Sequence, residues 1–215
     1  MTNLRALDQH WYYFVRYPLG AGGNHLADLL SLDARFEPRI GQDRVGYLDA
    51  LKAKYCGDRQ HLRHKWGTAL ISDLPAQQKL AAASCYEKSV HIGHAASFVW
   101  AQELLRPLVH KRFISLQFNT PADREFVRYR ERKIFQTDTL ANDYYAAELA
   151  HYYNTWFSGH DACDDDVNLE IPCHRLGCVD ITGLIDDINT KFQLHIPVES
   201  AQELHYLWLR LIEKT

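Results

Sequence analysis

The chain of 215 residues has no apolar run approaching the ~20 residues that a membrane span needs. Its opening residues, Met1 to Arg5, lack the apolar segment of a secretory signal. No proline- or serine-rich linker, internal repeat or low-complexity tract divides it, which favours a single domain over residues 1–215. It has no surplus of basic charge: 24 Lys and Arg stand against 27 Asp and Glu, a net charge of −3. That balance gives no global attraction to nucleic acid or to an acidic membrane surface, so any anion site must be local. The five cysteines are odd in number and widely spread, unlike the disulfide framework of a small secreted domain. Together these absences lead to the expectation of a soluble, cytoplasmic protein with reduced thiols. What is present is apolar content of 47%, enough for one sizeable core.

The stretch from Trp11 to Leu32 organises the reading of the rest. Trp11-Tyr12-Tyr13-Phe14-Val15 favours a buried strand. Leu26, Leu29 and Leu30 recur at helical spacing. Between them Gly20, Gly22 and Gly23 allow positive φ and close backbone approach. A glycine-rich turn from a strand into a helix can cradle an anion, because its N–H groups converge and the helix adds its own free N–H groups and dipole. The bland alternative is a tight connection and nothing more. The turn does not spell a nucleotide-hydrolase loop, which needs a Lys and a Ser or Thr after its last glycine; Asn24 and His25 stand there.

Further along, residues 33–46 read as a loop and residues 47–55 as a short helix ended by Gly57. Residues 58–66 are basic, with an aromatic at the edge, and suit either a solvated surface or the wall of an anionic substrate pocket. The pattern predicts a helix over 75–87 and a strand over 88–94, with Val90 and Ile92 facing oppositely to Ser89 and His91. His94 falls at the carboxyl end of that strand, where open α/β sheets bind ligands. Residues 98–106 read as a helix and 112–118 as a second clear strand. A helix from about residue 123 then sets Arg124, Arg128 and Arg132 on one face, either as a phosphate clamp or as an ordinary exposed face. Residues 139–157 read as a long aromatic-rich helix and 167–171 as a late strand. An amphipathic helix over 181–192 takes Asp180 as its cap, and Ser200 with Glu203 suggests a capping box for a last helix. Strands alternating with helices predict an α/β fold with a mostly parallel sheet covered on both faces.

Tyr17-Pro18 followed by Gly22-Gly23-Asn24-His25-Leu26 resembles the 5′-phosphosulfate loop of the sulfotransferases, a P-loop-related family whose loop commonly reads Tyr-Pro-Lys-Ser-Gly-Thr-Thr-Trp-Leu. Pro121-Ala122-Asp123 follows the Pro-x-Asp part of the family's Arg-x-Pro-x-Asp turn. The resemblance is to a remote, divergent member and implies a P-loop NTPase-like, sulfotransferase-like three-layer sandwich. It implies 3′-phosphoadenosine 5′-phosphosulfate as co-substrate, held at Pro18, Gly20, Ala21, Gly22, Gly23, Asn24, His25 and Leu26. His94, or less well His91, would take the proton of a small-molecule or glycan hydroxyl acceptor, and His25 or Asn24 would donate to the bridging oxygen. No metal is required. Asn119 stands where the family has the Arg that binds the donor's 3′-phosphate, and Val127 where it has a Ser, so Arg124 and Arg128 are the candidates to replace them.

Two other classes fit the same pattern. A nucleotide or metabolite kinase would share the fold but should carry the loop Lys and a magnesium-binding hydroxyl. A noncatalytic anion-binding or interaction module would keep the turn without the chemistry. The spacings His61-x-x-His64 and His91-x-x-His94, and the group Cys163, Cys173, His174 and Cys178, are weak metal signals that buried thiols and ordinary histidines explain as well. The acceptor and the oligomeric state are not legible in the sequence.

Overall fold

A computed structural model describes residues 9–17, 20–38, 44–57, 86–93, 105–106, 108–135 and 168–213. The elements in chain order are β1 (Trp11–Arg16), α1 (Gly23–Leu30), α2 (Tyr47–Cys56), β2 (Lys88–Gly93), β3 (Lys111–Gln117), α3 (Pro121–Phe135), β4 (Asn168–Pro172), a 3₁₀ turn (Cys173–Gly177), α4 (Thr182–Phe192) and α5 (Val198–Glu213). The expected helix over 139–157, the basic stretch 58–66 and the acidic loop 161–166 lie outside the described residues, as does most of each of the expected helices over 75–87 and 98–106; the described end of the former, residues 86–87, is not helical.

The four strands form one sheet in the order β2-β1-β3-β4, and every pairing is parallel. The protein is therefore an α/β fold. In register, Phe14 lies between His91 and Phe113, and Val15 between Ile92 and Ile114. β1 is buried along its centre because both its faces are apolar, as a strand inside a parallel sheet requires. One face, carrying Tyr13, Val15, Val90, Ile92, Ile114, Leu116 and Ile171, shares a continuous core with Leu26, Leu29 and Leu30 of α1 and with the buried sides of α2, α4 and α5. Each of those fully buried leucines contributes ~1.5–3 kcal/mol relative to exposure. The other face carries Tyr12, Phe14, Ser89, His91 and Phe113, with Phe14 and Phe113 stacked at 5.3 Å. Ser89 and His91 thus do face away from Val90 and Ile92, and all four are buried.

The segment after α1 is tied down by charge. The Arg44 guanidinium donates to the carbonyls of Ser31 and Leu32 at 2.6 and 2.7 Å, a cation at the negative end of the helix. Arg35 forks onto Asp33 at 3.0 and 2.6 Å, and Asp33 also accepts the His195 N–H at 2.8 Å, joining the end of α1 to the loop after α4.

Two helix starts differ from the sequence reading. α4 begins after Ile181, and the Asp180 carboxylate accepts the Thr182 N–H at 2.8 Å from one position further out. α5 begins at Val198, so Ser200 and Glu203 lie within it, and Glu203 pairs instead with Lys52 at 2.8 Å. Helix-compatible residues precede the polar pair, and Pro197 supplies the carbonyl that accepts the Ala201 N–H.

The turn from β1 into α1 needs its glycines. Gly20 and Gly22 have φ of 82° and 90°, and a Cβ on Gly23 would sit 2.0 Å from the Tyr17 ring. Gly23→Ala is expected to lower stability by ~1–3 kcal/mol or to displace Tyr17, because the added methyl would overlap a buried ring. Gly46→Ala, at φ 92° with nothing within 4 Å of its Cβ, should cost only the ~1–2 kcal/mol of left-handed backbone. Denaturant melts of the two variants, with Tyr17 followed by NMR, check both outcomes.

Candidate functional site

The sheet order sets where a site can form. β1 lies between β2 and β3, so the connection that leaves β1 for β2 and the one that leaves β3 for β4 run in opposite directions along the sheet. A crevice at the carboxyl ends of such a pair is the usual ligand position in an open α/β sheet. Here the described residues beyond the carboxyl ends of β1 and β3 are Tyr17 and Gly20 to Gly23 on one side and residues 118–123 on the other.

The second wall is organised by Asp123. Thr120 and Asp123 form a reciprocal cap at the start of α3: the Thr120 N–H donates to Asp123 at 2.9 Å, and the Asp123 N–H donates to the Thr120 hydroxyl at 3.2 Å. The same carboxylate accepts the backbone N–H and the Nδ1 of His174 at 3.0 and 2.8 Å, binding the turn after β4 to the start of α3. Burial works to raise the Asp123 pKa, but the hydrogen bonds from His174 and Thr120 outweigh it and hold the carboxyl at about 2.

Arg130 joins the two walls. It lies on α3 one turn beyond Val127, on the inward face, and is 7% exposed. Its Nη1 donates to the Gly20 carbonyl, and the same nitrogen would stand 3.1 Å from a Cβ on Gly22. The guanidinium also lies 4.6 Å from the Trp208 ring centroid. No carboxylate pairs with it among the described residues, and its Nε is buried with no hydrogen-bond partner. Burial lowers its pKa to about 10, so it remains charged at neutral pH. A buried cation without an acid, against a turn with two positive-φ glycines and at the start of a helix, is chemically complementary to an anion.

No family model, curated protein or solved structure matches the chain. The site therefore rests on its own geometry.

Of the residues singled out in the sequence, Gly20, Ala21, Gly22, Gly23, Asn24, His25 and Leu26 do form the turn and the first turn of α1. Ala21 and Leu26 are fully buried core residues. Pro18 and His94 lie outside the described residues. His25 is committed elsewhere: its Nδ1 meets the Tyr55 hydroxyl at 3.0 Å, its Nε2 meets His205 Nδ1 at 2.9 Å, and its ring stacks on Trp208 at 4.1 Å. Both ring nitrogens are thus engaged away from any bridging oxygen, a correction to the role expected of it. His91 is also enclosed, with Nε2 at 2.9 Å from Ser89 Oγ, which in turn contacts His10 Nε2 at 2.9 Å.

Asn119 is exposed and uses its amide on Gln117 at 3.0 Å. Arg124 is exposed and Arg128 half-buried on α3, and neither is the arginine that reaches the turn. The sequence contained the signal for Arg130: Asp123, Val127 and Arg130 stand at i, i+4 and i+7, one helix face that includes a core valine. Of the Cys163, Cys173, His174 and Cys178 group, Cys163 lies outside the described residues; the other three are not part of a metal-ligand set among the described residues, and burial pushes the Cys173 thiol up.

The Asp123 tie gives an acid prediction. A folded pKa of about 2 against 3.8 means its stabilisation is fully present above pH ~4 and lost as pH falls toward 2, up to ~2 kcal/mol. Asp33, where burial is again outweighed by Arg35 and His195 and the pKa falls to about 2, adds a similar loss in the same window. Asp123→Asn should lower stability at pH 7 and flatten the stability-against-pH curve between pH ~4 and ~2, measured by urea unfolding at each pH.

Proposed function

We propose that the protein is a divergent sulfotransferase-like enzyme of the P-loop type, binding 3′-phosphoadenosine 5′-phosphosulfate with its 5′ end at the Gly20–Gly23 turn. The observation that carries the reading is Arg130, a buried guanidinium without an acidic partner among the described residues, which converges on the turn where the family's loop would place a Lys. It supplies from α3 the positive charge that Asn24 and His25 do not. Sulfuryl transfer asks the protein mainly for in-line positioning and for stabilisation of charge on the equatorial oxygens. The turn's N–H groups, the start of α1 and the planar fork of Arg130 suit that demand. The parallel sheet, with its order reversing beside β1, supports the three-layer arrangement this chemistry would use. His94, directly after Gly93 at the end of β2, is the base in this reading, and the acceptor is a small-molecule or glycan hydroxyl.

A second reading, a noncatalytic anion-binding module, is favoured by one observation. Leu176 and Trp208 stand 3.3 Å from the position a Cβ on Gly22 would take, so apolar groups close one side of the turn. In that reading the guanidinium would hold the anion as a fixed part of the fold.

The test is calorimetric titration with adenosine 3′,5′-bisphosphate, ATP and AMP on the wild type and on Arg130→Met. Selective binding of the bisphosphate, weakened about 10- to 100-fold in the variant, is the expected result, corresponding to ~1.5–3 kcal/mol for a charged hydrogen-bonding group. The ligand-free Arg130→Met protein should melt within ~1 kcal/mol of the wild type, because replacing a buried unpaired charge removes a desolvation cost. Strong destabilisation of the ligand-free variant, with unchanged bisphosphate affinity in whatever remains folded, would assign Arg130 to packing. Preference for ATP with magnesium would favour a kinase. Tight bisphosphate binding without transfer of labelled sulfate to any hydroxyl compound would favour the binding module.

A further inference from the structure

Beneath the turn runs a chain of buried polar groups that has more hydrogen bonds to fill than protons to fill them. Asp28 of α1 accepts from Lys54 Nζ at 2.6 Å and from the Tyr55 hydroxyl at 2.6 Å. The Tyr55 oxygen meets His25 Nδ1 at 3.0 Å, His25 Nε2 meets His205 Nδ1 at 2.9 Å, and His205 Nε2 meets the Cys178 carbonyl at 2.8 Å. Both ends are acceptors. The carbonyl can only accept, so His205 carries its proton on Nε2 and Nδ1 is bare. The carboxylate takes the Tyr55 proton, so the contact between Tyr55 and His25 is completed by a proton on Nδ1, leaving Nε2 bare as well. Two bare nitrogens then face each other at 2.9 Å unless one ring takes a second proton.

We propose, on the reading of the turn as an anion site, that this site binds its ligand together with one proton, taken up by the His25–His205 pair. His25 is the third residue of α1, and His25 and Arg130 both lie on the Trp208 ring, at 4.1 and 4.6 Å. In the ligand-free protein the proton is opposed. Burial holds His25 well below the ordinary histidine value, aided by His205 on α5, Arg130 on α3 and Lys54 on α2, and burial also lowers His205. Asp28 is the one acid in the chain, and it is shared with Lys54 and Tyr55. An anion beside Arg130 cancels part of the opposing positive charge and raises the proton affinity of the pair. Reciprocity requires that lower pH then strengthen anion binding.

The experiment has two arms on the full chain. In the first, long-range ¹H–¹⁵N NMR follows the histidine ring nitrogens of the ligand-free protein from pH 8 downward. The expected result is one shared protonation of His25 and His205 below pH 6.5, with the His25 signal altered in His205→Gln; two neutral rings down to acid unfolding would overturn the proton count. In the second, adenosine 3′,5′-bisphosphate is titrated at pH 6.5 in buffers of contrasting ionisation enthalpy. Net proton uptake in the wild type that is diminished in His205→Gln supports the coupling. Bisphosphate binding without uptake overturns the coupling and leaves the anion site standing, whereas no binding removes the anion site and the coupling with it, the first arm still deciding the proton count. The wild-type measurements decide the matter alone should His205→Gln fail to fold.

Discussion

A charged guanidinium buried with no acid beside it among the described residues is an energetically costly arrangement. Much of the surrounding structure can be understood as what makes it tolerable. The Gly20 carbonyl accepts from it, and the Trp208 ring lies against it. Gly22 and Gly23 then have specific work: a side chain on the first would crowd Arg130, and one on the second would collide with Tyr17. The Thr120–Asp123 cap fixes where α3 begins, and thereby which of its arginines faces inward. Asp123 also reaches the turn after β4, so the orientation of α3 and the position of the sheet's last described strand are set by one carboxylate.

How far this was legible in the sequence depended on whether a feature is local. Strand, glycine turn and helix over residues 11–30 follow from burial pattern and backbone freedom within a short window, and the strands over 88–93 and 111–117 and the helix over 182–192 follow likewise. The start of α5 did not, because Ser200 and Glu203 have the form of a capping box while the chain ahead of them is already able to continue a helix. The i, i+4 spacing along α3 favoured Arg124, which is exposed, and Arg128, which is half-buried, over Arg130, whose neighbours at helical spacing are a buried acid and a core valine. The partners of His25 were beyond reach for a different reason. Tyr55 is 30 residues away and His205 is 180 residues away, so neither contact leaves a trace in local pattern.

The contrast between the two histidines on either side of the sheet plane is instructive. The resemblance made His91, second to His94, and His25 candidates as proton carriers. In the fold, His91 is linked to His10 through Ser89, while His25 belongs to a chain that starts beneath the turn and continues into α2 and α5. A residue type suited to acid–base work is therefore not enough; what its two ring nitrogens face decides whether a proton gained or lost there can be felt elsewhere.

The residues that close over the turn come from opposite parts of the chain. Gly20 and Gly22 are made early, whereas His205 and Trp208 are made 180 or so positions later, as the separation of His25 from His205 records. During synthesis the glycine turn must consequently wait, with its sheet neighbours already emerged, for a helix still inside the ribosome. The nascent chain can form the glycine turn without the indole and imidazole that lie over it, so its enclosure is completed only in chains whose translation has run past α5.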